Sequence, residues 1–200
     1  MARYCFYIDG FNVYYAIRQR YSQYKWLDYQ KLALSAVGSK DTIEAIYYFS
    51  SYVTWKPDAV ARHKEYIKVL RSVGVEYIQG RFKNKTLACH HCQKQYKSHE
   101  EKQTDVNIAV KIAADVAEDK FDKTVIVSAD TDLIPAIKTV HKIRPEKEIG
   151  VMFPVGRNSF ELRHEADFIL KMKPKRLVSC QFPTKVKIGN DIIECPPEWQ

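Results

Sequence analysis

The sequence predicts an α/β domain built on a mainly parallel sheet with helices on both faces. Two observations carry this. Short β-branched and aromatic runs alternate with stretches of helical periodicity along most of the chain, which is the pattern that parallel strands with helical crossovers require. The chain also has 200 residues, 46% of them hydrophobic and 28% charged, so it is long and apolar enough for one full core.

The first strand is expected over 4–8 and breaks at Asp9-Gly10, where a helix over 11–20 begins. Asp28 is placed to cap a helix running to Val37, with Gly38 as its stop. A strand follows over 43–49. Pro57 suits the first turn of the next helix, which would bury Val60, Tyr66, Ile67 and Leu70 and end at Gly74. Residues 75–78 read as a short strand. Periodicity is lost over 80–102, a polar and basic excursion compatible with a hairpin, and returns over 104–116, where Val106, Ala109, Val110, Ala113 and Ala117 mark the expected apolar face. Then come a strand over 123–127, a helix over 133–141, a strand over 148–153, a helix over 159–164 with Asn158 and Glu161 at capping-box spacing, and a strand over 166–170. After the basic run Lys171, Lys173, Lys175 and Arg176, a hairpin is expected over 186–193 around Gly189-Asn190. The organisation expected is thus a main domain over 1–172, carrying the 80–102 excursion, and an extension over 173–200.

The formal net charge is +8, a bias towards polyanionic partners such as nucleic acid. No apolar run approaches the ~18 residues of a membrane span, so no membrane partner is expected. The N-terminus runs straight into a strand without the basic and apolar regions of a leader peptide. Five cysteines, an odd number, fit reduced thiols in a cytoplasmic protein better than a disulfide framework.

Residues 125–133 read V-I-V-S-A-D-T-D-L: an apolar strand followed at once by Asp130 and Asp132. Ligands of parallel α/β sheets bind beyond the C-terminal strand ends. Asp9 ends the first strand, and Asp105 opens a helix, where negative charge is favoured by ~0.3–1 kcal/mol. Each acid alone has a plain structural explanation, as a helix cap or a turn residue. Together on one edge they would repel and raise one another's pKa unless a cation neutralises them. A hard divalent ion, Mg²⁺ or Mn²⁺, is the simplest solution.

These motifs carry a family resemblance. Ile8-Asp9-Gly10-Phe11-Asn12-Val13-Tyr14-Tyr15 resembles the N-terminal signature of NYN domains, the LabA-like branch of the PIN-like nucleases. Glu100-Glu101-Lys102-Gln103-Thr104-Asp105-Val106 and Ser128-Ala129-Asp130-Thr131-Asp132-Leu133-Ile134-Pro135 are similar to the second and third acidic motifs. Phe153-Pro154, Ser159, Glu161-Leu162 and Ala166-Asp167 resemble the closing pattern. The likeness runs from about Tyr4 to Leu170. It implies a Rossmann-like PIN fold and a metal-dependent ribonuclease in which Asp9, Asp105, Asp130 and Asp132 hold the metal. It also implies substrate or water contacts for Asn12, Ser128, Thr131 and Lys102, each of which has a structural alternative: a helix-start amide, a brace for the acids, an N-cap, a solvated loop lysine. Asp167 would be structural.

Cys89 and Cys92 have the spacing of half a zinc site, and His99 is a third candidate ligand; His90, His91, Cys180 or Cys195 would supply a fourth. Such a zinc would be structural. Arg81, Lys83, Lys85, Lys94 and Lys97 interleave with Phe82 and Tyr96, while Arg157 and Asn158 follow another strand end. Basic groups track phosphates and aromatic faces stack on unpaired bases. The expected function is therefore hydrolysis of phosphodiester bonds in single-stranded or looped RNA. A non-catalytic RNA-binding or scaffold protein that retains the acids is the alternative, then a small-molecule phosphohydrolase. A homodimer is left open.

Overall fold

A computed structural model describes residues 1–88 and 91–200. Its first unit is β1 (Arg3–Asp9), α1 (Gly10–Arg20), α2 (Tyr29–Leu34), β2 (Thr42–Ser50), α3 (Pro57–Ser72) and β3 (Val75–Gln79). A ribbon of β4 (Arg81–Ala88) and β5 (Gln95–Lys102) leads into α4 (Thr104–Ala117), β6 (Lys123–Val127), α5 (Ile134–Ile143), β7 (Glu148–Phe153), α6 (Phe160–Glu165) and β8 (Phe168–Lys171). The chain closes with α7 (Pro174–Ser179) and a hairpin of β9 (Lys185–Ile188) and β10 (Asp191–Glu194).

Six strands form one sheet in the order β3-β2-β1-β6-β7-β8, and every pairing in it is parallel. The strands are apolar on both faces because helices cover both. On β1, Phe6 and Ile8 enter the core beneath α1, α2 and α3, while Cys5 and Tyr7 enter the one beneath α4, α5 and α6. The same period of two divides Ile46 and Tyr48 from Tyr47 and Phe49 on β2, and Val125 and Val127 from Ile126 on β6. After β1 the chain winds towards β3; after α4 it returns and winds towards β8. The crevice between β1 and β6 is therefore the topological switch point, open at the C-terminal strand ends.

Several helices differ from the sequence expectation. On α4 the buried residues are Thr104, Ile108, Ile112, Asp115 and Val116, whereas Val106 and Val110 are 63% and 62% exposed. The helix is turned because Asp115 is drawn inward: Tyr7 Oη donates to it at 2.6 Å and Lys111 Nζ at 2.6 Å, which satisfies a fully buried carboxylate. Asp28 does cap α2, accepting from Lys31 N at 3.0 Å, but the helix stops at Leu34 rather than Val37. Ser159, not Asn158, caps α6, accepting from Leu162 N at 3.2 Å. α7 lies in a stretch that reads only as a basic run. From the C-terminal residues, Leu177, Cys180, Phe182, Ile193 and Cys195 join the core beneath α1, α2 and α3, and Trp26 Nε1 donates to Pro183 O at 2.9 Å.

Gly10 is required by close approach. A Cβ there would stand 2.6 Å from the Tyr48 ring and 2.7 Å from the Phe49 carbonyl oxygen, because α1 starts on the last residue of β1 with no loop between them. Gly10→Ala is expected to cost about 1–3 kcal/mol through overpacking. Thermal melting tests this: a fall of roughly 3–10 °C is expected for a chain of this size, and an unchanged midpoint would contradict the packing described.

Candidate metal centre

Three segments far apart in the chain deliver carboxylates to the switch point. Asp9 ends β1 and is 4% exposed. Its Oδ1 accepts from Asn12 N at 3.0 Å, capping α1, and its Oδ2 accepts from Ser128 Oγ at 2.9 Å. Parallel pairing sets this second contact, because Ile8 lies opposite Val127 and the next residue on each strand end is Asp9 and Ser128. The buried Ser128 hydroxyl also accepts from Asp130 N at 3.1 Å, and Asp130 Oδ1 accepts from Asp132 N at 3.0 Å, capping a short turn. Asn12 Oδ1 accepts from Ala129 N at 3.1 Å, which ties the start of α1 to the loop after β6. Asp105 comes from the first turn of α4, where Gln103, at φ 78°, turns the chain out of β5.

Asp9, Asp105 and Asp130 each present one carboxylate oxygen, all within 4.8 Å of one another. Around them lies a cleft of about 450 Å³, lined also by Phe11, Tyr15, Glu101, Arg157 and Asn158. Burial, only partly offset by the Asn12 and Ser128 hydrogen bonds, pushes the Asp9 carboxyl up to about 6, with Asp105 and Asp130 adding repulsion. Burial also pushes Asp105 up to about 6, helped by Asp130, Glu101 and Asp132. An all-carboxylate donor set suits a hard divalent cation. Two oxygens on one Mg²⁺ lie roughly 3–4 Å apart given bonds of about 2.1 Å, so these three side chains fit such an ion with small rotamer changes.

The other expected site residues lie on the cleft wall, at its rim or away from it. Arg157 and Asn158 stand on the cleft wall, and Asn158 Oδ1 accepts from Arg163 Nη2 at 2.6 Å. Asp132 is exposed outside the three-acid cluster, close enough to disfavour charge on Asp105. Thr131 begins the short turn, Arg81 is exposed at the foot of the ribbon, and Lys102, opposite it, pairs with Glu100 at 2.8 Å. Asp167 lies at the other edge of the sheet, accepting from Ile149 N at 2.7 Å.

Of the candidate zinc ligands, Cys89 and His90 lie outside the described residues. Cys92 is an exposed free thiol in the turn of the ribbon. The His99 ring lies flat on Trp55, with centroids 3.5 Å apart, and its Nδ1 meets Asn84 Oδ1 at 3.0 Å. His99 faces Asn84 down the ribbon, four residues along β5 from Gln95, so it is not beside Cys92. Cys180 and Cys195 are in the core.

Three further cleft residues are absent from the expected site set, and two of them are aromatic. Glu101, at the end of β5, accepts from Thr104 Oγ1 and, at 3.5 Å, from Ser51 Oγ; its signal is its place four residues before Asp105 in the second acidic motif. Phe11 and Tyr15, at i and i+4 on α1, face the cleft with ring centroids 6.2 Å apart. Phe11 continues to Phe82 at 5.5 Å, and Phe82 to Trp55 at 4.8 Å, so a row of rings leads from the carboxylates onto the ribbon.

A parallel doubly wound sheet with acids gathered at its switch point is the PIN-like nuclease architecture. Residues 3–173 match the family model described as the NYN domain, and the chain belongs to that family. It is 30% identical, over 236 aligned residues covering 96% of this chain and 74% of the relative, to the 6-hydroxy-3-succinoylpyridine 3-monooxygenase HspA of Pseudomonas putida (strain DSM 28022 / S16). A crystal structure of a protein of unknown function from Vibrio parahaemolyticus RIMD 2210633 superposes with a TM-score of 0.63 at 19% identity, over 86% of this chain and 94% of that one. That similarity concerns the fold.

The raised carboxyls have a consequence for stability. Asp9 and Asp105 hold protons in the folded protein to about pH 6, whereas in the unfolded chain they release them near pH 4. The metal-free protein therefore loses their contribution to stability as pH rises from about 4 through 6. Mn²⁺ is expected to raise the melting midpoint at pH 7.5 and to do so much less at pH 5, where protons compete for the same oxygens. Asp130→Asn, which keeps the cap, is expected to remove the Mn²⁺ shift. Melting curves across this range with and without Mn²⁺ check this; an equal Mn²⁺ shift in the variant would contradict it.

Proposed function

We propose that this protein is a metal-dependent ribonuclease that hydrolyses phosphodiester bonds in single-stranded or looped RNA. The single observation that carries the reading is the meeting of Asp9, Asp105 and Asp130 at the switch point of a NYN domain. Mg²⁺ or Mn²⁺ held there supplies Lewis-acid polarisation of a phosphoryl oxygen and lowers the pKa of water.

The chain's own groups account for the rest. Asp9 is locked by two hydrogen bonds, and the Asp130 backbone is held by the Ser128 hydroxyl while its carboxylate accepts from Asp132 N, so these two acids are preorganised rather than collected on binding. Asn12 and Ser128 act through this bracing; Asn12 spends its carbonyl on Ala129. Glu101 and Asp132 extend the negative set at the rim. Arg157, the one basic residue of the cleft wall among the described residues, is placed to pair with a phosphate oxygen. Phe11 and Tyr15 offer faces for an unpaired base, which favours single strands over duplex. The free thiols Cys5, Cys92, Cys180 and Cys195 accord with a cytoplasmic location, and no helix among the described residues is long and apolar enough to cross a membrane.

The monooxygenase name of the Pseudomonas putida relative raises a second reading, oxidation of a small heteroaromatic acid. Incubating the protein with single-stranded RNA and Mn²⁺ or Mg²⁺ is expected to give cleavage that chelation stops and Asp130→Asn lowers by at least about 100-fold. Cleavage persisting in the variant would sink the assignment. RNA binding without turnover would favour a scaffold, turnover of a generic phosphomonoester a phosphohydrolase, and oxidation of 6-hydroxy-3-succinoylpyridine the relative's reaction.

A further inference from the structure

Besides the acidic cleft, the molecule has a larger open groove of about 630 Å³ at the β8 edge of the sheet. Arg163 of α6, Lys171 at the end of β8, and Lys173, Lys175 and Arg176 line it, with no acidic residue among the lining groups. None of these five cations forms an ion pair with a carboxylate among the described residues. Arg176 donates to the carbonyls of Lys171 and Ser35, and Arg163 to Asn158. At the N-terminal strand ends, by contrast, Arg3 and Lys147 share Asp119 and Asp122, Lys123 takes Glu148, and Lys111 and Lys120 take Asp115. Five unmatched positive charges around one concavity repel one another, and a polyanion relieves that repulsion.

The groove neighbours the carboxylate cleft. Lys171 ends β8 on the same edge of the sheet where Asp9 ends β1, and β8 lies two strands from β6, roughly 10 Å away. Asn158, on the cleft wall, holds Arg163, on the groove wall, at 2.6 Å. Arg163 is steadied further by lying over the Phe153 ring, 5.5 Å from its centroid. Phe160, three residues before Arg163 on α6, is 79% exposed, a free ring beside the junction. We propose that this groove holds the phosphate backbone of a single-stranded RNA whose cleaved bond lies at the carboxylates, so that the strand crosses the C-terminal edge from β1 towards β8. The inference rests on the ribonuclease reading and adds to it where the substrate's flank runs.

Binding, measured without turnover, tests it. Fluorescence anisotropy with a labelled 12-nucleotide single-stranded RNA in chelator is run across a salt series. Lys173→Ala/Lys175→Ala removes two exposed side chains. It is expected to weaken binding about tenfold or more and to flatten the slope of log affinity against log salt by about 1.4, for two lost phosphate contacts on a single strand. Lys40→Ala/Lys187→Ala lowers net charge equally; Lys40 lies beside Asp41, which holds Ala2 N at the opposite edge, and binding is expected to be unchanged. Equal loss in both doubles, or no loss in the first, overturns the groove. So does displacement of the RNA by poly-glutamate as effective as by unlabelled RNA, which would mark a surface for acidic polypeptides. Binding that follows this pattern in a protein that cuts no RNA with any metal would leave the groove standing and remove the ribonuclease reading.

Discussion

Like charges held together in a buried crevice are the constraint on which this structure turns. Asp9 is nearly sealed from water and Asp105 half so, and both would rather carry a proton than face each other and Asp130. The fold holds Asp9 and Asp130 with directed hydrogen bonds and brings Asp105 to them on the first turn of α4. One serine hydroxyl donates to Asp9 and accepts from the amide of Asp130, and one asparagine carbonyl takes the amide between them. Such a network leaves Asp9 and Asp130 few alternatives, and a cation would relieve the repulsion among the three acids.

The sheet explains why these particular segments meet. Parallel pairing of β1 with β6 sets the ends of the two strands side by side, and the winding reverses there, which opens a crevice between them. The long detour through β4 and β5 brings α4 back with Asp105 at its start. Along the same edge the surroundings differ in kind. Towards β3, a row of rings runs from Phe11 through Phe82 and Trp55 to His99. Towards β8, the wall is cationic. The net charge of +8 is thus unevenly placed: at the opposite edge Arg3, Lys123 and Lys147 are tied up in ion pairs, whereas the five groove cations on the β8 side form none among the described residues. Membership of the NYN family brings the nuclease architecture, while a relative at 30% identity carries a monooxygenase name. A shared fold does not decide chemistry, so the acids and their surroundings have to carry the functional argument.

What the sequence by itself determined is local or periodic. Strands announced themselves as β-branched runs broken by Asp9-Gly10 or Ser128-Ala129-Asp130, and the α/β class followed from their alternation with helices. Asp9, Asp105 and Asp130 were legible because three short motifs each place an acid at a strand or helix end. The tertiary structure alone decided which face of α4 turns inward, since the pull of Tyr7 on Asp115 comes from a strand more than a hundred residues away. It alone separated Asp132 from the cluster and His99 from Cys92, and added Glu101, Phe11 and Tyr15 to the cleft. It also turned a bland basic run after β8 into one wall of a groove. The physical reason is common to all of these: spacing along a chain states which direction a side chain leaves its own element, while packing across the sheet states what that direction meets.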